Sequence, residues 1–106
     1  YTYVVDAATA ALYLLLKGEN GSAVNVADNA SDIKLKDLAK LFAKEAGTKV
    51  IFQLPDAIEK AGFSTATKAV LDSTKIMQLG WNAMTPIEQG ISKTIQILRQ
   101  TKEGAR

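Results

Sequence analysis

The sequence holds no cysteine and no histidine in its 106 residues. The first absence excludes disulfides, thiolate nucleophiles and Cys/His zinc sites, so no metal site is expected. The second excludes histidine as a general acid or base, and with it any Ser-His-Asp scheme built from this chain alone. Long apolar runs are also missing. The longest, Ala7 to Leu16, is about ten residues including Thr9, and a membrane span needs roughly 20. A core helix is expected there, and no membrane association. Charge of one sign is not in excess: Lys and Arg number 13, Asp and Glu 11, for a net +2. A nucleic-acid footprint needs clustered Lys/Arg and stacking aromatics, so no nucleic-acid partner is expected. Lys34, Lys36, Lys40 and Lys44 come closest to a cluster, but Asp37 and Glu45 interrupt them, which reads as a solvated helix face. Finally, there is no GxGxxG turn. The seven glycines stand at 18, 21, 47, 62, 80, 90 and 104, and only the first two are close together.

What is present is an ordinary globular balance, 47% apolar and 23% charged, in a length that fits one domain. The chain opens directly on Tyr1-Thr2-Tyr3-Val4-Val5-Asp6, with no initiator Met and no lead-in loop. This start reads as a piece cut from a longer protein. Thr2 to Val5 is β-rich, and Asp6 stands where an N-cap belongs. Ala7 to Lys17 is rich in Ala and Leu, the strongest helix formers, and Gly18 ends it. After the turn Glu19 to Ser22, Ala23 to Ala27 reads as a short strand, and Asp28 to Asp32 as a polar loop.

Leu35 to Ala46 is the second helix, with Leu35, Leu38, Leu41 and Phe42 on one stripe and Gly47 closing it. Lys49 to Leu54 alternates, placing Val50, Phe52 and Leu54 on one face of a half-buried strand that Pro55 stops. Asp56 to Ala61 reads as a short helix, Gly62 to Thr67 as a loop, and Ala69 to Leu71 as an extended piece. A helix from Asp72 or Ser73 runs to Leu79. Thr85-Pro86-Ile87-Glu88 is a start signal, with Thr85 as N-cap, Pro86 at N1 and Glu88 at N3. Ile87, Ile91, Ile95 and Leu98 stripe the last helix, and the tail after Arg99 is expected to fray. The order β-α-β-α-β-(α)-β-α-α argues an α/β layer arrangement.

These patterns fall in a distinctive order: Tyr3-Val4-Val5-Asp6 opening a helix, Ala23-Val24-Asn25-Val26-Ala27 after a glycine turn, Asp72-Ser73-Thr74-Lys75 leading into Leu79-Gly80-Trp81, and Pro86 to Gly90 opening the terminal helix. Together they resemble the C-terminal part of extended short-chain dehydrogenases/reductases, the NAD-dependent epimerase/dehydratase family, over about residues 1 to 98. The resemblance implies a mixed α/β fold. Residues 1–27 would be the last edge of a Rossmann domain, 28–100 a small substrate-binding domain, and 101–106 a frayed tail. It implies a cytoplasmic, homodimeric parent enzyme that uses NAD or NADP to oxidise and return hydride to a nucleotide-sugar. This piece would supply substrate contacts, bind no cofactor by itself and be inactive alone. The alternative is a noncatalytic binding or scaffold relative of the same fold.

The resemblance also nominates residues. Lys68, four positions before Asp72, stands where several relatives place an Arg on the substrate diphosphate. Lys offers the charge as a point cation without the bidentate fork. Phe63 and Ser64 fall in a loop that would wall the sugar pocket. Asn25, an amide in mid-strand where Asn has poor propensity, would shape the cofactor site indirectly, or else simply bond to loop backbone. No catalytic residue is assigned. Tyr13 and Lys17 have the Tyr-x-x-x-Lys spacing of the family's catalytic pair, but they lie downstream of the Tyr3–Asp6 motif. In the family the pair lies far upstream. Tyr13 therefore reads as core or interface, and Lys17 as a cation favoured by the helix dipole. Lys34 departs from the family in standing where Ser or Thr commonly caps the second helix. Trp81 is expected to anchor the last helix against the core, or else to stack on carbohydrate.

Overall fold

A computed structural model describes residues 1–63, 66 and 68–104. Five α-helices carry the described chain: α1 (Val4–Lys17), α2 (Leu35–Ala46), α3 (Ala57–Ala61), α4 (Thr74–Gln78) and α5 (Ile87–Gly104), with a single 3-10 turn at Asn29–Ser31. Among the described residues there is no strand and no sheet. The expected α/β fold with Rossmann-edge strands is therefore corrected to a helical one.

The physical reason lies in pairing. A β-rich segment becomes a strand only when a second backbone answers its N–H and C=O groups. Residues 23–27 and 49–54 pair with no neighbouring strand, and 69–71 likewise stays outside any sheet. Val4 and Val5, read as strand, instead form the first turn of α1. The β-branched cost in a helix is a few tenths of a kcal/mol per residue, and the Ala/Leu run that follows outweighs it.

Local start and stop signals fare better. α2 has the bounds its stripe indicates, and Gly47 closes it in the left-handed conformation, φ 72°, as a glycine allows. Asp56 caps α3, accepting from the Ile58 and Glu59 amides, while Glu59 reaches back to the Asp56 amide. α5 begins one residue later than expected and stays helical to Gly104 rather than fraying after Arg99.

Asp6 is the largest local surprise. It does not cap α1, whose N-cap is Tyr3. Its buried carboxylate instead accepts from the backbone amides of Met84 and Thr85, at 3.2 and 3.0 Å. A charge removed from water in this way must be hydrogen-bonded, and these two bonds tie α1 to the loop before α5. Nearby, Trp81 is 2% exposed and packs with Ala10 and Ile76, flanked by Tyr13, Leu14, Val24, Val26 and Ala83. Its indole Nε1 donates to Thr9 Oγ1 at 3.1 Å, and the Thr9 hydroxyl donates to the Asp6 carbonyl. The core thus joins α1, α4 and the 81–85 loop. A second packing centre lies between α2 and α5, where Ser92 Oγ donates to Glu45 and Ile91 is buried.

The molecule is open in shape. Its radius of gyration is 17.2 Å, against about 13 Å for a compact domain of this length. Many large apolar side chains are exposed, among them Leu15, Leu16, Ile51, Leu54 and Ile58.

Candidate functional site

A cavity of about 780 Å³ is lined by residues of two stretches of chain, 26–35 and 68–71, together with Tyr1 and Thr2. That is within the range of about 300–1,000 Å³ typical of small-molecule sites.

The first wall is a braced loop. The Asp28 amide donates to Thr2 Oγ1, 26 residues away, at 3.2 Å. The Asp28 carboxylate accepts from the Ala30 amide at 3.0 Å and from the Ser31 hydroxyl at 2.5 Å. Ser31 is buried. From Asp32 to Lys34 the backbone is extended at both described ends, and α2 starts at Leu35. The loop therefore delivers Asp32 and Lys34 to the cavity just before the helix takes over.

The second wall is held from its C-terminal end. Asp72 Oδ1 accepts from the Thr74 amide at 2.9 Å and from the Thr74 hydroxyl at 2.5 Å. The hydroxyl bond, and next to it the amide bond, hold the Asp72 carboxyl below its usual value of 3.8. These bonds start α4, whose Ile76 is fully buried beside Trp81. Lys68 to Leu71 thus hangs from the core at one end and presents Lys68 to the cavity.

Of the residues nominated by sequence, the structure brings Lys68 to the cavity wall. Asn25 is exposed and lies outside the lining, while its neighbours Val24 and Val26 face the core. Phe63 is exposed and also outside the lining. Ser64 lies outside the described residues. Tyr13 and Lys17 stand elsewhere: the ammonium sits 5.3 Å from the Tyr13 ring centroid. Both side chains approach Gly80, where an added Cβ would come within 3.7 Å of each.

Sequence reasoning missed Asp32 and Lys34 as lining residues. A signal existed for Lys34. It occupies the N-cap position of α2 without a side-chain capping bond, where Ser, Thr, Asp or Asn is preferred. A cation at a helix N-terminus also opposes the dipole.

The arrangement offers cations from both walls, a carboxylate at Asp32 and apolar surface from Val70 and Leu71. It fits a ligand that carries anionic groups beside hydroxyls. It does not fit the pyrophosphate of a dinucleotide, which needs closely spaced glycines opening a helix. Gly18 and Gly21 instead follow the end of α1. Among the described residues there is no group of three or more His, Cys, Asp or Glu side chains placed to hold a metal ion, and no helix long and apolar enough to cross a membrane.

Comparison with known proteins gives one consistent direction. Two trifunctional UDP-glucose 4,6-dehydratase/UDP-4-keto-6-deoxy-D-glucose 3,5-epimerase/UDP-4-keto-L-rhamnose-reductases of Arabidopsis thaliana are similar to this chain. They are 32% and 30% identical over 107 residues, covering 97% of the chain. The chain spans about 15% of the length of these relatives. No family model matches, and no solved structure matches.

Proposed function

We propose that this chain is the nucleotide-sugar-contacting region of an NAD(P)-dependent epimerase/dehydratase-type enzyme, and that its ligand enters the cavity between 26–35 and 68–71. The observation that carries the reading is Lys68 on the cavity wall, in a chain similar along nearly its whole length to enzymes whose names specify UDP-sugar substrates.

In this reading the Lys68 ammonium meets phosphate oxygen as a point charge. Asp32, the other uncapped ionic group of the first wall, accepts from ligand hydroxyls. Val70 and Leu71 give apolar contact. These residues bind and orient. The catalytic groups and the nicotinamide cofactor, NAD or NADP, belong to other parts of the enzyme, since this chain lacks a glycine-rich cofactor turn. The reaction class is oxidation of a sugar carbon, rearrangement of the keto sugar and reduction.

The test is isothermal titration of the protein carrying this chain with UDP-glucose, as wild type and Lys68→Ala. Loss of a charge-assisted contact at a partly solvated site is expected to weaken binding about tenfold. Wild-type protein that fails to bind UDP-glucose, or a Lys68→Ala variant that binds as well as wild type, contradicts the proposal.

A further inference from the structure

We infer that Lys34 is a second phosphate-binding cation, lining the same cavity as Lys68 from a separate stretch of chain, and that the pair selects a nucleoside diphosphate over a nucleoside monophosphate. The inference rests on the reading of the cavity given above and adds to it a residue and a selectivity.

Three observations carry it. First, Lys34 and Lys68 line the same cavity from separate stretches of chain. Both are exposed. Second, neither ammonium is committed. Among the described residues the ion pair present is Lys40 with Asp37. Asp28 spends its carboxylate on Ala30 and Ser31, and Asp32 lies beyond ion-pair distance of both lysines. Third, Lys34 serves α2 poorly. It provides no capping bond and sets a positive charge against the positive end of the dipole. Asp37 in the first turn supplies the negative charge the dipole favours, but the cap position itself stays without a side-chain bond, and a residue that breaks a local rule is a candidate for function.

The chemistry follows from the difference between lysine and arginine. One arginine can grip two oxygens of a phosphate through its planar fork, whereas one lysine supplies a single compact charge. A diphosphate held by lysines therefore needs more than one of them. Two cations lining one cavity can share it, one toward each phosphate. A monophosphate leaves one ammonium without a partner. Asp32 disfavours an anion lacking hydroxyls, because its carboxylate offers only acceptors.

The test titrates wild type, Lys34→Ala, Lys34→Arg and Lys68→Ala of the protein carrying this chain with UDP and with UMP, at two salt concentrations. The expected result is that wild type prefers UDP, that Lys34→Ala weakens UDP about tenfold and UMP about twofold or less, and that Lys34→Arg restores UDP. The salt dependence of UDP binding also falls in Lys34→Ala, because one screened charge contact is gone. Helical circular dichroism of Lys34→Ala equal to wild type separates lost binding from lost folding. Equal losses for UDP and UMP, or no loss for either, overturn the role of Lys34 while Lys68→Ala still tests the site. Failure of wild type to bind UDP removes the reading of the site itself.

Discussion

The core built on α1, α4 and Trp81 and the stretch from Thr48 to Leu71 follow opposite rules within one chain. In the first, polar groups that leave water find partners far away in sequence: Asp6 with Met84 and Thr85, Trp81 with Thr9. In the second, most large apolar side chains among the described residues stay in water. Ile51 is 91% exposed and Leu54 92%, in an extended segment that pairs with no strand. The difference shows where stability resides. Fixed long-range bonds and buried area define the first region, and the second contributes a helix cap at Asp56 and little burial. The cavity lies where the two meet, since Lys68 to Leu71 ends the open stretch and is anchored to the core through α4.

Substitutions should respect this division. Trp81→Ala has the largest expected effect, about 3–5 kcal/mol of unfolding free energy, because it removes the central ring and leaves Thr9 without its indole donor. Chemical denaturation measures it, and a loss below about 1 kcal/mol sinks the claim that this ring organises the core. Asp6→Ala is next, at about 1–3 kcal/mol, from two amides left without acceptors. Asp6→Asn should recover part of the loss through its remaining carbonyl oxygen. Ile76→Val follows at about 0.5–1.5 kcal/mol. Ile51→Thr, in the open stretch, should change stability by no more than about 0.5 kcal/mol. A larger loss there would mean that this side chain is buried in solution and that the contrast is false.

The smallest effect concerns Asp72. Its folded-state pKa lies below the ordinary carboxyl value, because the hydroxyl and amide of Thr74 favour the charged form. Its stabilising contribution is therefore present above the unfolded pKa and lost as pH falls through the folded one. Wild type and Asp72→Asn should differ most near neutral pH and converge in acid. A gap that instead widens on acidification contradicts the bonding assigned to Asp72.

The contrast also explains how much was legible in the sequence. Local signals were readable because their physics is local: the stripe of α2, Gly47 at its end, Asp72 before α4. Trp81 was readable as a core residue from its size, but it packs with Ala10 of α1 and Ile76 of α4 where an anchor for the last helix was expected. Its partners in α1 and α4 were not readable, since packing against residues 5 and 71 positions away leaves no trace in spacing. Asp6 carried an ordinary N-cap signature, yet its acceptors serve amides 78 and 79 residues on. The β-rich segments misled for a related reason. Their composition favours a pleated, half-buried surface, but whether a strand forms depends on a partner backbone that composition does not encode. At the site, Lys68, nominated through the resemblance, lines the cavity, Lys34 left a signal in its poor fit as a cap, and Asn25 and Phe63 are not among the lining residues.

The central claim is that the cavity between 26–35 and 68–71 holds the nucleotide-sugar. Hydrogen exchange of the protein carrying this chain, followed by mass spectrometry with and without UDP-glucose, tests it most directly. The account predicts slower exchange in peptides covering 26–38 and 66–74, with the 49–54 stretch unchanged. Protection confined to peptides around Tyr13 and Lys17, or no protection anywhere in this chain at saturating UDP-glucose, would contradict it.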